Sequence, residues 1–124
     1  MEKRQRTLGE KLRELREYYC VSQAQVAQSL NIDRSTYSNY ELDRTQPNLE
    51  NLVRLARLFG VPKGSLLPDD EEEETSFKEL LQHSGMLSSL NKEERGLVLR
   101  FRGMSRAHKD KIHERMDELA NNPD

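Results

Sequence analysis

The sequence has a single cysteine, few aromatic residues and no long apolar run. Its 124 residues include one cysteine and no tryptophan, and only 6% of them are aromatic. The lone Cys20 excludes an intrachain disulfide and argues against a cysteine-rich metal site, so we expect a small buried side chain. No stretch approaches the roughly 20 apolar residues of a membrane helix, and no apolar run follows the charged start as in a secretory signal. We therefore expect a cytoplasmic protein without a membrane partner.

Charge, by contrast, is plentiful and unevenly distributed. The formal net charge is −2, which alone is unusual for a nucleic-acid-binding protein. Residues 1–68 hold eleven Lys/Arg against eight Asp/Glu, a balance of +3, whereas residues 69–124 hold nine against fourteen, a balance of −5. The small net charge therefore conceals a basic front half and an acidic rear half.

The stretch "PDDEEEETS" is the clearest boundary along the chain. Its six consecutive acids repel one another and include no apolar anchor. We interpret residues 69–76 as an extended linker between a front domain, residues 1–68, and a C-terminal region, residues 77–124. The alternative is an acidic arm that competes with phosphates for the basic half.

Polar capping residues and glycine or proline stops divide the front domain into five helices, and no stretch shows the alternation of a strand. Asn31 falls at the turn between the second and third helices, where Asn tolerates the left-handed conformation. The last helix is a short turn in "GSLLP", expected to insert Leu66 and Leu67 into the core. The expected caps are Thr7 with Glu10, Ser22 with Gln25, Asp33 and Asn48, and the expected stop after the fourth helix is Gly60 with Pro62.

The third helix, "DRSTYSNYE", has two different faces. Tyr37 and Tyr40 lie on one side, where they can anchor the helix against its neighbours. A helix, a tight turn and a second helix with a polar outer face form the helix-turn-helix arrangement, so the outer face is free to meet a major groove. Four side chains span that face, in an arc of about 140° at 100° per residue: Arg34, Ser35, Ser38 and Asn39.

Residues 8–67 resemble the lambda-repressor-like, Xre-type helix-turn-helix family. "SQAQVAQSL" matches the usual "SQ-x-x-LA-x-x-L", "LRELRE" matches the usual first helix, and "DRSTYSNYE" matches the recognition helix. The sequence departs from the family at Asn31, where Gly is usual, and at "E-L-D", Glu41 to Asp43, where "E-N-G" is frequent. The resemblance implies an all-α fold, with a five-helix lambda-repressor-like DNA-binding domain followed by the acidic linker and a small C-terminal helical region.

The resemblance also implies a function, that of a bacterial or phage transcriptional regulator that acts as a repressor. Helix 33–41 would lie in the major groove of a double-stranded DNA operator. Arg fits guanine and Asn fits adenine, each bidentately. The resemblance implies base contacts from Arg34, Ser35 and Asn39, with Ser38 as a flanking candidate, and phosphate contacts from Ser22, Gln23, Arg44 and Thr45. The alternatives are that Ser22 only caps a helix and that Gln23 and Arg34 are ordinary surface residues.

The C-terminal region is too small for an independent core. A short helix is expected over 77–84, a second from the Asn91 cap to Gly103, and a third after the Ser105 cap. Because repressors of this family generally bind two-fold-related half-sites, we expect a homodimer formed by these helices. The alternative is that they fold back on the front domain. The expected dimerisation residues are Leu97, Phe101, Ile112, Met116 and Leu119.

A second class of function also fits, a protein-binding adaptor of the antitoxin or coactivator kind built on the same domain. A protein or peptide antagonist would be a further partner. We expect no enzyme, because no serine of the tail has an evident base. We also expect no metal or other cofactor, because the three histidines do not form a ligand set: His83, His108 and His113.

Overall fold

The structure is a computed structural model that describes residues 6–67 and 89–122, and no strand forms within these ranges. The all-α prediction is confirmed. The acidic run at 69–76 and the helix expected over 77–84 lie outside the described residues. The helices are α1 Leu8–Tyr19, α2 Gln23–Leu30, α3 Arg34–Glu41, α4 Leu49–Phe59, a 3₁₀ turn Lys63–Leu66, α5 Lys92–Arg102 and α6 Arg106–Asn121.

Capping residues set most of the helix boundaries, as the sequence predicts. The Ser22 hydroxyl accepts the Gln25 N–H at 3.1 Å, and the Gln25 side chain accepts the Ser22 N–H at 2.9 Å. This reciprocal pair satisfies two of the unpaired donors at the start of α2. Asp33 differs from the prediction, because it occupies the N-cap position of α3 but its side chain makes no capping hydrogen bond. The other confirmed caps are Thr7, Asn48, Asn91 and Ser105.

Left-handed residues end three of the helices. Asn31 ends α2 with φ 56° and ψ 46°, so the asparagine performs the role expected of it at the turn. Gly60 ends α4 with φ 69°, a conformation that costs a glycine little. Cys20 ends α1 with φ 57° and is exposed. The prediction of a buried cysteine is wrong, because the left-handed position after α1 directs the side chain away from the core.

The core lies between α1, α2, α3, α4 and the 3₁₀ turn. Leu66 of that turn is fully buried but Leu67 is half exposed, so only one of the two predicted leucines enters the core. Lys11 of α1 is also fully buried. Its ammonium donates to the carbonyl oxygens of Ser65, at 2.9 Å, and of Leu67. These bonds satisfy the buried charge and hold the turn against α1.

Helix α5 packs against α1, α2 and α4. Leu99 is fully buried in the common core, whereas Leu97 is 56% exposed. Leu97 and Phe101 are the residues of α5 expected at a dimer interface, and the face that meets the front domain passes through Leu99 instead. For α5, therefore, the structure adopts the alternative in which the C-terminal region folds back.

Two arginines of α5 bind tyrosines of α1. The Arg102 guanidinium donates to the Tyr19 hydroxyl at 2.8 Å and to the Leu58 carbonyl oxygen at 3.2 Å. Arg95 lies over the Tyr18 ring, 4.5 Å from its centroid. Polar and cation–π contacts thus supplement the apolar contact of α5 with the front domain.

Helix α6 buries none of its residues. It contacts α5 at Phe101, whose ring meets the His113 ring edge-on at 5.7 Å and lies under the Lys109 ammonium at 5.3 Å. The two helices therefore form a hairpin of which only the first helix belongs to the core.

Candidate nucleic-acid interface

The inner face of α3 is fixed by its two tyrosines. Tyr37 is fully buried and Tyr40 nearly so, with their rings edge-on at 6.4 Å. The Asn51 amide of α4 donates to the Tyr40 hydroxyl at 3.2 Å. Burial raises the pKa of the Tyr37 hydroxyl far above its ordinary value, so that group stays neutral. The predicted anchoring role of both tyrosines is confirmed.

The outer face of α3 carries the four predicted base-contacting side chains. Arg34 and Ser35 are exposed, and Ser38 and Asn39 are half-buried. Within the described residues, none of the four side chains forms a hydrogen bond or ion pair with the rest of the protein. Their donors and acceptors therefore remain available for a ligand that lies along the helix.

The C-terminal end of α3 is held by an ion pair that the sequence analysis missed. Glu41 accepts from Arg16 Nε at 2.7 Å and from Arg16 Nη2 at 3.1 Å. The same guanidinium donates to the Val21 carbonyl oxygen at 3.2 Å. This bidentate geometry fixes direction as well as distance, so α3 is oriented on α1. Residues 25 positions apart share no local spacing that could have predicted the contact.

The electrostatics of this pair keep both groups charged. Burial alone would raise the pKa of Glu41, but the hydrogen bonds from Arg16 and Gln23 outweigh it and lower that pKa below its ordinary value. The hydrogen bond to Glu41 in turn raises the pKa of Arg16.

The start of α2 is joined to the end of α3 by the same carboxylate. Gln23 donates from Nε2 to Glu41 Oε1 at 3.0 Å, which places two of the predicted phosphate-contacting residues, Ser22 and Gln23, beside the C-terminal end of α3. Ser22 is exposed and caps α2, as its alternative interpretation requires. Capping uses its oxygen as an acceptor, so the hydroxyl hydrogen can still be donated.

The loop after α3 is fixed to the start of α1 by Asp43. This residue has φ 58°, and its carboxylate accepts from the Thr7 hydroxyl at 2.6 Å and the Gly9 N–H at 2.9 Å. The "E-L-D" departure thus places an acceptor at the N-terminus of a helix, where negative charge is favoured. Arg44 and Thr45, the other predicted phosphate contacts, follow in the same loop and are exposed.

The backbone after α3 is already partly bonded. The Leu42 N–H donates to the Ser38 carbonyl oxygen at 3.1 Å, so this donor is already used in the last turn of α3. The N–H groups of Arg44 and Thr45 lie 3.0 and 3.5 Å from the Asn39 carbonyl oxygen. The donors that this loop leaves available are therefore the side chains of Arg44 and Thr45.

The expected dimerisation residues lie on α5 and α6. Four of them are exposed and Phe101 is half-buried under α6. No group of metal-ligating side chains forms in the described part of the chain, and no helix found there could span a membrane. The exposed four are Leu97 on α5 and Ile112, Met116 and Leu119 on α6.

A family model described as a helix-turn-helix domain matches residues 9–69. The chain is 35% identical over 75 residues to the HTH-type transcriptional regulator ImmR of Bacillus subtilis (strain 168). The aligned stretch covers 60% of this chain and 59% of ImmR. It is 35% identical over 78 residues to the uncharacterized HTH-type transcriptional regulator YobD of the same organism, covering 59% of this chain and 70% of YobD.

A phage protein is similar over a longer stretch. The cryptic phage CTXphi transcriptional repressor RstR of Vibrio cholerae is 34% identical over 86 residues, covering 68% of this chain and 75% of RstR. No solved structure matches the chain at a significant level. The chain belongs to the helix-turn-helix family of transcriptional regulators.

Proposed function

We propose that the protein is a sequence-specific regulator that binds a double-stranded DNA operator with α3 in the major groove and represses transcription as a homodimer. The observation that carries the proposal is the division of α3 into a buried tyrosine face and an outer polar face without internal partners. An α-helix fits the major groove of B-DNA, where base edges present distinct donors and acceptors.

Two side chains of the outer face supply the specificity. Arg34 donates bidentately to guanine O6 and N7, and Asn39 pairs with adenine N6 and N7. Ser35 and Ser38 contact neighbouring bases and tolerate more than one of them. Arg34 stands at the first position of α3 and Asn39 five residues later, about 7.5 Å along the helix axis, so the two contact different base pairs.

Backbone contacts then fix the register of the domain on the duplex. Ser22 and Gln23 at the start of α2 and Arg44 and Thr45 after α3 contact phosphates. Glu41 holds the Gln23 amide through one hydrogen, which leaves its second N–H and its carbonyl oxygen for other partners. Such contacts position the protein and carry no sequence information themselves.

The exposed side chains of α6, together with Leu97 and Phe101 of α5, form the dimer interface. Ile112, Met116 and Leu119 follow one another at helical spacing on a helix that buries nothing, so a second copy gives them an apolar environment. A two-fold dimer of this kind reads half-sites about one helical turn apart, roughly 34 Å.

A fragment that lacks α5 cannot test dimerisation, because removing Leu99 and Arg102 opens the core. A substitution on α6 avoids the difficulty. Met116→Glu is expected to convert the dimer to a monomer in sedimentation equilibrium, while Ala107→Glu on the opposite side of α6 leaves the dimer intact. A dimer that survives Met116→Glu and Leu119→Glu together would contradict the proposed interface.

The adaptor function remains the second candidate, because the exposed apolar side chains of α6 equally suit a different protein, including an antagonist. Titration of the protein against its own upstream DNA, followed by selection of bound sequences from a random pool, separates the two. A sequence-selective complex at moderate salt supports the regulator, and its absence supports the adaptor. We propose no catalytic activity, in keeping with relatives that are transcriptional regulators, and we place the protein in the cytoplasm, with its operator.

A further inference from the structure

A cavity of about 180 Å³ lies where α5 meets α2 and α4 of the front domain. Three arginines line it, Arg54 and Arg57 from α4 and Arg102 from α5, together with Ser29 at the end of α2. Three guanidinium groups around one small cavity form a concentration of positive charge that the operator-binding residues do not include.

These arginines differ from most others in the described part of the chain because no carboxylate neutralises them. Five arginines there form ion pairs with Asp or Glu, and Arg54, Arg57 and Arg102 are not among them. Among residues 6–67 and 89–122, no acidic side chain lines the cavity. The charge is therefore unbalanced although the whole chain has more acids than bases.

The negative ends of three helix dipoles offset only part of this positive charge. Leu30, Leu58 and Arg102 lie at or next to the C-termini of α2, α4 and α5, and a helix C-terminus is equivalent to about −0.5 charge. Arg102 donates to the Leu58 carbonyl oxygen, as expected for this complementary role. Three such ends supply roughly −1.5 against three full positive charges, so an excess of positive charge remains.

One member of the cluster is held in place before any ligand arrives. Arg102 Nη1 is fixed by the Tyr19 hydroxyl at 2.8 Å and the Leu58 carbonyl oxygen at 3.2 Å. Its Nε and Nη2 donors are not used by those bonds. A planar guanidinium with two donors available fits two oxygens of a phosphate.

We propose that this cavity is a binding site for a small phosphate-class anion, either inorganic phosphate or a phosphate monoester. Arg54 and Arg102 bind the phosphoryl oxygens, and exposed Arg57 donates to them from the rim. The Ser29 hydroxyl already donates to the Gln25 carbonyl oxygen at 3.0 Å, so Ser29 only lines the wall. A second cavity of about 260 Å³ shares Ser29 and Gly103 with the first and includes Arg100 and His108. It provides space for the organic part of a monoester.

The location gives such binding a structural consequence. Arg102 belongs to α5, while Ser29, Arg54 and Arg57 belong to the front domain, so a bound anion joins the two. Binding to the folded state alone raises stability in proportion to the logarithm of ligand concentration. The anion therefore strengthens the attachment of α5, and of the α6 helix that follows it, to the front domain.

Isothermal calorimetry on the full chain tests the proposal, with inorganic phosphate and glycerol 3-phosphate as separate probes at constant ionic strength. Saturable binding is expected, with tighter binding of glycerol 3-phosphate if the second cavity accepts the organic part. Arg57→Gln, at an exposed position, should weaken binding by about tenfold, the order of one charge-assisted hydrogen bond. Arg13→Gln, on the exposed surface of α1, should leave binding unchanged.

Three results would overturn the site. The first is heat that follows ionic strength without saturation, and the second is equal binding by the wild type and Arg57→Gln. The third is binding that appears only after the six acids of "DDEEEE" are replaced by their amides, which would assign the cavity to carboxylates of the chain itself. A loss of DNA affinity in Arg57→Gln with no change in phosphate binding would instead identify Arg57 as a DNA contact.

Discussion

Arg16 and Glu41 form a bidentate ion pair, with N–O distances of 2.7 and 3.1 Å, between the first helix and the last residue of α3. The Glu41 side chain is only 4% exposed, and its second role is to accept a hydrogen bond from Gln23. One carboxylate therefore sets the orientation of α3 relative to both α1 and α2.

Glu41→Gln should lower the free energy of unfolding by about 2–3 kcal/mol, because the partly buried guanidinium of Arg16 loses its counter-charge. Urea denaturation measures the change. Glu17→Gln is the matched control, since Glu17 pairs with Arg13 on the surface and such pairs contribute about 0–1 kcal/mol. Equal losses in the two variants would contradict the assigned role of Glu41.

The contribution of Glu41 should depend on pH in a defined direction. Its pKa is lowered in the folded protein, so its stabilisation is complete above the unfolded pKa of about 4.3 and is lost as the pH falls through the lower, folded pKa. The difference in unfolding free energy between wild type and Glu41→Gln should be constant from pH 6 to 8 and shrink below about pH 4. A difference that persists unchanged at pH 3 would argue against a charge effect.

Asp43 should stabilise the loop after α3 through its carboxylate. Asp43→Ala loses the bonds to Thr7 and Gly9 and places alanine at a positive φ, at a combined cost of about 2 kcal/mol. Asp43→Gly relieves the backbone cost alone, and Asp43→Asn keeps an acceptor and tolerates the conformation. Thermal unfolding should therefore rank the losses Asn, Gly, Ala in increasing order. A glycine variant as stable as the wild type would contradict this ranking.

Gly9 permits the close approach of α1 to the end of α3. A Cβ there would lie 2.3 Å from the Glu41 carbonyl oxygen, whereas a Cβ at Gly64 would meet nothing within 4 Å. Gly9→Ala should cost about 2 kcal/mol or more despite the better helix propensity of alanine. Gly64→Ala, measured by the same denaturation, should be near neutral. An unaffected Gly9→Ala variant would mean that α1 and α3 can separate without loss.

Sequence patterns predicted the local features of this fold well. Capping residues act within three positions of their targets, and the two tyrosines of α3 follow directly from helical spacing. The contacts of Arg16 with Glu41 and of Asp43 with Thr7 join residues 25 and 36 positions apart, which no local pattern encodes. The packing of Leu99 against the front domain was not predicted for a related reason, because Leu97 and Leu99 are equally apolar and only the packing partner selects between them.

The base-contacting and phosphate-contacting roles were predicted from the family resemblance and not from local sequence patterns. Tyr37 and Tyr40 define by their burial which side of α3 is outward, and the outward side chains are those the resemblance implied. The roles of Arg34 and Asn39 still rest on base chemistry and on the family, and the structure adds their availability. Asp33 and Cys20 show the limit of single-residue rules, since one takes the capping position without the capping bond and the other lies outside the core.

The most direct test of the account is the binding of Arg34→Ala to a panel of operators in which each base pair is varied in turn. Fluorescence anisotropy at fixed salt should show a loss of about 1–3 kcal/mol on the cognate operator and a relaxed preference at a single base pair. Ala substitution at exposed Arg13 provides the control and should change neither. An equal loss on every duplex, with the salt dependence reduced by the equivalent of about one phosphate contact, would contradict base recognition by Arg34.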